Sequence, residues 1–156
     1  MTISLERMTQ LDYDNFYENS IYEYANEHIK SGNWKKEGAI ARARKAFENL
    51  LPNGLATDGE YLFSIFNSNE NIGYCWLHFS GDNNKSFIYD IHIDEKFRGE
   101  GLGEAAMLGI ENYCKERKVQ SIGLHVFGHN QRAVSLYNKM GFQVTNYRME
   151  KVLDEG

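Results

Sequence analysis

Three glycines, Gly99, Gly101 and Gly103, stand close together between a β-rich run and a helical pattern. Glycine lets the backbone approach an anion closely, and the free N–H groups at the start of a helix point at that anion. The dipole of the helix adds positive potential at the same place. Packing alone does not require all three glycines, so this spacing predicts a binding site for a ligand that contains phosphate.

The stretch from Gly101 to Ala106 also fits GxGxxA, which is typical of dinucleotide-binding Rossmann units. Such a unit expects an acidic residue about 20 positions later, at the end of the next strand, to hold the ribose. The next predicted strand ends instead at His125, Val126 and Phe127. The loop also follows antiparallel strands, which disfavours a nicotinamide-dependent oxidoreductase. A P-loop is disfavoured further, because the chain contains no GxxxxGK string followed by Ser or Thr.

Two stretches of the chain resemble motifs of the GNAT superfamily of acyl-CoA-dependent N-acyltransferases. Residues 98–103 read RGEGLG and match the family's central motif, Q/R-x-x-G-x-G/A. Residues 130–142 read NQRAVSLYNKMGF and are similar to the family's NxxAxxLYxKxGF helix. Both matches stand in the family's order and separation, and residues 89–97 resemble its fourth strand and the exit from it. The resemblance is strong over residues 86–145 and implies one GNAT domain over residues 1–156.

This resemblance implies direct transfer of an acetyl group from acetyl-CoA to an amine, with no metal ion. The backbone of the glycine loop would hold the pyrophosphate, and the Arg98 side chain would either add charge or pin the loop. Ile91 and Ile93 would offer backbone groups to the pantetheine arm, which Asn130 would also contact. The expected cofactor-binding residues are Ile91, Ile93, Arg98, Gly99, Gly101, Leu102, Gly103, Glu104 and Asn130.

The same resemblance identifies a candidate general acid. Candidates for the general base follow from the chemistry of the reaction and from positions on the predicted fourth strand. Tyr137 matches the family's general acid, which protonates the thiolate of CoA as it leaves. The acceptor amine must lose a proton, and Asp90 and His92 lie on one face of the predicted fourth strand. Asp90 is the first candidate for the base and His92 is the second. Each of the three residues also has a structural interpretation, as a packed ring or a hydrogen-bonded strand residue.

Periodicity predicts the elements that must position these residues. Apolar positions recur at helical spacing over residues 13–29, 39–51, 102–114 and 133–140. Strand patterns cover residues 3–5, 61–66, 72–79, 86–94, 121–127 and 142–153. Together with the resemblance, this order implies an α/β (α+β) fold with a mixed, mostly antiparallel sheet of about seven strands and about four helices.

Composition limits the class of protein. The chain has 156 residues, of which 42% are hydrophobic, and this suits one folded domain. Its net charge of −5 argues against a surface that tracks nucleic-acid phosphates. Apolar runs are too short for a membrane span and the N-terminus lacks a secretory signal, so a cytoplasmic location is expected. Cys75 and Cys114 are then reduced core thiols, and no CxxC or HExxH metal pattern occurs.

The acceptor remains open among a small-molecule amine, a polyamine and an amine of a peptide or protein. Residues 10–58 are expected to lie over the acceptor cleft, where acids such as Glu23 and Glu27 would attract a cation. His78, His125 and His129 are interpreted as structural. The alternative function is a non-catalytic acyl-CoA sensor or interaction module on the same fold. The resemblance also implies a homodimer, and neither nucleic acid nor a membrane is an expected partner.

Overall fold

A computed structural model describes residues 2–81 and 84–153. Its helices and strands follow one another along the chain as β1 (Ile3–Arg7), α1 (Gln10–Lys30), α2 (Ala39–Leu50), β2 (Glu60–Asn67), β3 (Glu70–Phe79), β4 (Lys85–Ile93), α3 (Leu102–Glu116), β5 (Ser121–Leu124) and α4 (Gln131–Lys139). Two short 3-10 helices, Gly54–Ala56 and Glu95–Phe97, precede β2 and α3. The four predicted helices are therefore present.

One mixed sheet separates two layers of helices. The strands lie in the order β1-β2-β3-β4-β5; the first four are antiparallel neighbours, and β5 runs parallel to β4. On one face, α1 and α2 bury Phe16 and Phe47 against Trp76 of β3. On the other face, α3 buries Met107 and Ile110 together with sheet residues. Burial of these apolar side chains holds both layers against the sheet.

Local sequence signals fix where two of the helices begin. The Thr9 hydroxyl accepts a hydrogen bond from the backbone N–H of Asp12 at 3.1 Å, which caps α1. The Asn130 side chain accepts one from the backbone N–H of Ala133 at 3.3 Å, which caps α4. Each cap satisfies a backbone donor that has no partner within the helix. Asn130 therefore caps α4, a role that asparagine commonly has at the position just before a helix.

A β-bulge at Tyr89 decides which way the residues of β4 face. Trp76 pairs with Asp90 and the next residue, Leu77, pairs with Ile88, so Tyr89 is an extra residue in β4. In a regular strand, Ile88 and Asp90 would point to the same face of the sheet. With the bulge, Ile88 enters the α3 side of the core, whereas Asp90 contacts α1. The bulge therefore turns Asp90 away from the apolar layer that buries Ile88.

The sheet is smaller than the predicted sheet of about seven strands. Within the described residues it has five strands; β5 ends at Leu124 and not at residue 127, and residues 142–153 form no strand. Alternating apolar residues suggested a strand there, but the side chains of Val144, Tyr147 and Met149 are 58%, 80% and 88% exposed. A strand needs a neighbouring ladder for its backbone groups, and alternation alone does not supply one.

Gly73 of β3 lies where the sheet leaves no room for a side chain. A Cβ atom at this position would overlap the backbone oxygen of His92 on β4. We expect Gly73→Ala to push β3 and β4 apart and to lower the free energy of unfolding by roughly 2 kcal/mol. Urea denaturation measures this change. Gly128→Ala is the control, since a Cβ there meets nothing within 4 Å. Equal urea midpoints for the two variants would contradict the close approach of β3 to β4 at Gly73.

Candidate active site

A cleft opens at the point where β4 and β5 stop pairing. The last parallel pair joins Ile88 to Leu124, and β4 then continues to Ile93 along β3. A cavity of about 210 Å³ occupies the gap, between α1 and α2 on one side and α4 on the other. Four predicted site residues line it, namely Asp90, Ile91, Asn130 and Tyr137. Strand divergence therefore gathers residues from both motif regions around one space.

Asp90 stands in the wall of this cleft beside α1. Its Oδ2 atom accepts a hydrogen bond from the Ser20 hydroxyl at 2.7 Å. Burial raises the pKa of Asp90 to about 6, the hydrogen bond from Ser20 opposes this rise, and the nearby charge of Glu23 adds to it. The backbone N–H of Ile91 also lowers the pKa. A carboxylate of this kind is mostly ionised above pH 7 and can accept a proton from an amine.

His92, the second candidate for the base, lies outside the lining of the cleft. Its ring stacks on Tyr74 with centroids 4.8 Å apart, and its nitrogens lie 3.5 Å from Glu23 and 3.2 Å from Asp94. His92 and Tyr74 instead line a second cavity of about 320 Å³ between α1 and the sheet. The structure therefore separates the two candidates and brings Asp90, not His92, into the same cleft as Tyr137.

Tyr137 reaches the cleft from α4. Its ring packs edge-on against Phe142, with centroids 5.7 Å apart. Burial raises the pKa of the Tyr137 hydroxyl, and the negative charge of Asp90 raises it further. The hydroxyl consequently keeps its proton at neutral pH. The cleft thus combines a proton acceptor on β4 with a proton donor on α4.

The glycine loop continues from the end of β4 into α3. Gly99 and Gly101 have φ angles of +86° and +76°, in the left-handed region that favours glycine. The Nε of Arg98 donates a hydrogen bond to the carbonyl of Ile93 at 2.8 Å, which pins the loop to β4. Because α3 begins at Leu102, the backbone N–H groups of its first turn have no acceptor within the helix and can serve as donors to a ligand at the loop.

Two predicted loop residues use their side chains elsewhere. Glu104 pairs with Lys139 of α4 at 3.0 Å, so its carboxylate is held on the surface between the two helices. Leu102 is buried in the core under α3. For both residues, only the backbone remains for contact with a phosphate group. Negative charge on the Glu104 side chain is therefore drawn towards α4 and partly neutralised by Lys139.

Several residues of the cleft wall were not predicted to belong to the site. Ser20 and Tyr24 come from α1, Phe47 comes from α2, and His125 and Phe127 follow β5. His125, interpreted from sequence as structural, lies in the lining. Most of these positions read as ordinary core residues, since aromatic side chains at helical or strand spacing usually pack. Ser20 is the exception, because a polar residue interrupts the apolar stripe of α1.

The cleft lining is acidic. Glu23 and Glu27 of α1 lie in it together with Asp90, and no Lys or Arg is present among its described residues. Glu27 also contacts His129 at 2.5 Å, which ties the segment after β5 to α1. His28 stacks on Trp34 at 4.1 Å between ring centroids. Of the residues in these contacts, only Glu27 lines the cleft.

The described residues contain neither a metal-binding cluster nor a membrane-spanning helix. In the described parts of the chain, residues 2–81 and 84–153, no group of three or more His, Cys, Asp or Glu side chains is arranged to hold a metal ion. No helix in those same parts is long and apolar enough to cross a membrane. Cys75 and Cys114 are both buried and unpaired with each other, which confirms their prediction as core thiols.

The chain is similar to known proteins over nearly all of its length. Residues 10–142 match the sequence model of the Acetyltransferase (GNAT) family. The uncharacterised N-acetyltransferase YdgE of Bacillus subtilis (strain 168) is 36% identical over 156 residues, which covers 98% of this chain and 99% of YdgE. The uncharacterised N-acetyltransferase YycN of the same organism is 33% identical over 156 residues, covering 98% of this chain and 100% of YycN.

Solved structures agree with the sequence comparisons. A crystal structure of YycN superposes with a TM-score of 0.96, covering 99% of this chain and 100% of that chain. The PaiA N-acetyltransferase of Thermoplasma acidophilum, solved in complex with coenzyme A, has a TM-score of 0.71 at 19% identity and covers 95% of this chain and 94% of its own. That second likeness shows the fold alone. The chain therefore belongs to the GNAT family of acetyltransferases, as its two motifs predict, and it is an acyltransferase.

Proposed function

We propose that this protein transfers an acetyl group from acetyl-CoA directly to an amine, with Asp90 as the general base and Tyr137 as the general acid. One observation carries the proposal: the cleft between β4 and β5 holds a partly buried carboxylate and a protonated tyrosine hydroxyl together. Family membership supports the reaction class. The complex of PaiA with coenzyme A supports the use of an acyl-CoA.

The cofactor lies, in this proposal, along the edge of β4 and over the glycine loop. Beyond Ile88, β4 pairs within the described residues with β3 alone, so its other edge is open to a ligand. Backbone groups of Ile91 and Ile93 would pair with the pantetheine arm as a neighbouring strand would. The pyrophosphate would then reach the N–H groups at the start of α3. Asn130, which lies in the cleft lining, would contact the arm from the opposite side.

The reaction removes two protons from the acceptor ammonium group and delivers one proton to the departing sulfur. Asp90 would accept a proton from the acceptor ammonium group, which frees the lone pair of the nitrogen. That nitrogen would form a bond to the thioester carbonyl carbon as the carbon–sulfur bond breaks. Tyr137 would give its proton to the departing sulfur. The nitrogen, positively charged after it attacks, would lose its second proton, and this proton would restore the Tyr137 hydroxyl through solvent. The products are an N-acetylated amine and the free thiol of CoA, with one proton left on Asp90 for release to solvent.

The acidic lining supports an acceptor that enters as a cation. Glu23, Glu27 and Asp90 supply negative charge, and the faces of Phe47 and Phe127 can hold a cation or its apolar stem. Small amines, polyamines and peptide amines all meet this description. A panel of such amines, assayed through release of the CoA thiol, tests the proposal. Thiol release with none of them, alongside normal acetyl-CoA binding, would contradict catalysis and favour a sensor.

Acetyl-CoA binding tests the role of the glycine loop. Gly101 caps α3 with a φ of +76° and ψ of +9°. An alanine there strains the backbone and blocks close approach of the phosphates, so we expect affinity for acetyl-CoA to fall about tenfold or more. Isothermal titration calorimetry measures the change.

Gly38→Ala is a matched control for this titration. Gly38 caps α2 with nearly the same angles, a φ of +77° and ψ of 0°, but lies far along the chain from the loop. Both variants carry the same backbone strain, and only Gly101→Ala alters the proposed phosphate site. Equal affinities for the two would remove the loop from the cofactor site. No heat of binding for the unaltered protein at millimolar acetyl-CoA would overturn the proposed function itself.

A further inference from the structure

A chain of three hydrogen-bond contacts links Asp90 to the second cavity. The side-chain nitrogen of Asn19 donates to the Tyr74 hydroxyl at 2.7 Å. The Tyr74 and Ser20 hydroxyl oxygens lie 3.1 Å apart, and Ser20 donates to Oδ2 of Asp90 at 2.7 Å. Asn19 and Tyr74 line the second cavity, whereas Ser20 and Asp90 line the cleft. The chain therefore crosses the interface of α1 with the sheet from one cavity to the other.

The number of protons available fixes which group donates and which accepts in each of these three hydrogen bonds. An ionised carboxylate can only accept, so the single proton of the Ser20 hydroxyl is committed to Asp90. The Ser20 oxygen must then accept the proton of Tyr74. The Tyr74 oxygen in turn accepts from Asn19, whose amide nitrogen has no other role than donor. Every donor consequently points towards Asp90.

Packing holds Ser20 and Tyr74, the two middle members of the hydrogen-bond chain, in place. Ser20 is only 2% exposed. The ring of Tyr74 lies edge-on to Phe16 at 5.1 Å and is stacked on His92 at 4.8 Å between centroids. Burial also raises the pKa of Tyr74, so its hydroxyl keeps the proton that it donates to Ser20. A buried chain of this kind polarises each successive bond in the same sense.

Besides Ser20, the backbone N–H of Ile91 also lowers the pKa of Asp90, whereas the neighbouring side chains Glu23, Tyr137 and Cys75 add no positive charge. Glu23 on α1 is negative and opposes ionisation of Asp90. Tyr137 on α4 and Cys75 on β3 have raised pKa values, partly because of Asp90, and stay neutral. His92, next on the same face of β4, is engaged by Glu23 and Asp94. His125, from the segment after β5, shares the cleft lining with Asp90.

We propose that Ser20 and Tyr74 are positioning residues, which hold the Asp90 carboxylate towards the cleft and favour its ionised form through the hydrogen bonds directed at it. The proposal rests on the assignment of Asp90 as the general base. It makes two residues of no recognised motif, one on α1 and one on β3, part of the acid–base machinery. At the wall of the second cavity, Asn19 orients the Tyr74 hydroxyl, at the end of the hydrogen-bond chain that lies farthest from Asp90.

The pH dependence of kcat/KM is the first test. Ser20→Ala removes the bond that stabilises the carboxylate, so the acidic limb of the profile should move upward by about one pH unit. At pH 6 the rate should fall several-fold, whereas at pH 8.5 it should be nearly unchanged. Tyr74→Phe keeps the ring that packs on Phe16 and His92, and should shift the limb in the same direction by less. The KM for acetyl-CoA should stay the same in both variants.

Direct titration of Asp90 separates this proposal from the proposed function. Carbon-13 NMR of side-chain carboxyl groups gives the Asp90 midpoint without any turnover, and Asp90→Asn identifies the resonance. We expect an upward shift of the midpoint in Ser20→Ala and a smaller one in Tyr74→Phe. Such shifts in a protein whose amine acetylation fails would leave the hydrogen-bond chain standing and overturn the role of Asp90 as base.

Tyr113→Phe is the control, because it removes the same hydroxyl group on α3, across the sheet from α1. Its Asp90 midpoint and pH profile should match those of the unaltered protein. Thermal unfolding of all variants measures the purely structural share of the effect. If Ser20→Ala and Tyr74→Phe lowered the melting temperature but left the titration midpoint of Asp90 unchanged, Ser20 and Tyr74 would only support the fold. That result would overturn the inference.

Discussion

Tyr137→Phe is expected to lower kcat by about 100-fold or more, because general acid catalysis typically contributes 10²–10⁴-fold. The thiolate of CoA would then leave without a proton. The ring remains, so packing on Phe142 and the shape of the cleft are retained. Affinity for acetyl-CoA should consequently stay within about twofold of the original value. A loss confined to kcat is the signature of an interaction made only in the transition state.

Steady-state assays of CoA thiol release and calorimetric titration of acetyl-CoA measure these two quantities separately. Tyr147→Phe is the control, since Tyr147 is 80% exposed near the end of the described chain. Its kcat should be unchanged. If Tyr137→Phe retained full turnover, Tyr137 would be a packed aromatic residue and the proton would reach sulfur by another route. If it weakened acetyl-CoA binding alone, its role would be contact with the cofactor.

Asp90→Asn is expected to lower kcat/KM by about 100-fold at pH 7.5, because asparagine cannot accept the proton of the acceptor. In the unaltered protein, activity should fall as the pH drops through about 6, where Asp90 becomes protonated. This acidic limb should be absent from the residual activity of the variant. Asp94→Asn is the control, because Asp94 lies in the second cavity and not in the cleft lining. A full acidic limb in Asp90→Asn would assign it to another group.

The same substitution should stabilise the fold. Burial gives Asp90 a pKa of about 6, above its ordinary value of 3.8, so the folded state holds its proton more tightly than the unfolded chain. Asp90 therefore costs almost no stability below about pH 4, and the cost grows as the pH rises from about 4 to about 6 and levels off above that. Asparagine keeps the bond from Ser20 without that cost. We expect about 3 kcal/mol of added stability at pH 8 and almost none at pH 3.5.

Denaturant unfolding at both pH values measures this difference. Opposite changes in activity and stability are what a functional carboxylate in a buried position produces, since the fold tolerates its charge for the sake of the chemistry. A variant that is less stable at pH 8 than the unaltered protein would show that Asp90 is a structural hydrogen-bond acceptor. Equal stability gains at pH 3.5 and pH 8 would show that they do not arise from its ionisation.

The helices, the glycine loop and the membership of the family were predictable because their signals are local. A cap needs a polar side chain two or three residues before its N–H partner, as at Thr9 and Asn130. A left-handed turn needs glycine at the position itself, as at Gly101. The two motifs around residues 98–103 and 130–142 are each contiguous. None of these features depends on how distant segments meet.

The C-terminal strand was predicted wrongly for the complementary reason. Alternating apolar residues describe one side of a ladder, and pairing requires a second backbone that only the tertiary structure provides. The same limit applies to Ser20, which lies 70 residues before Asp90 along the chain yet donates to its carboxylate. Because Ser20 stands within the apolar stripe of α1, the sequence pattern predicted only that its side chain faces inward.

The amino-acid sequence by itself determined that this chain carries the glycine-loop and tyrosine-helix motifs of the GNAT family, and that Asp90 and His92 were the candidates for a base. Only the tertiary structure separated those two residues, because both lie on one face of β4 and differ in what packs against them. The bulge at Tyr89 turns Asp90 towards α1, and the divergence of β5 after Leu124 opens the cleft beside it. Both depend on pairing between strands, which no single segment encodes.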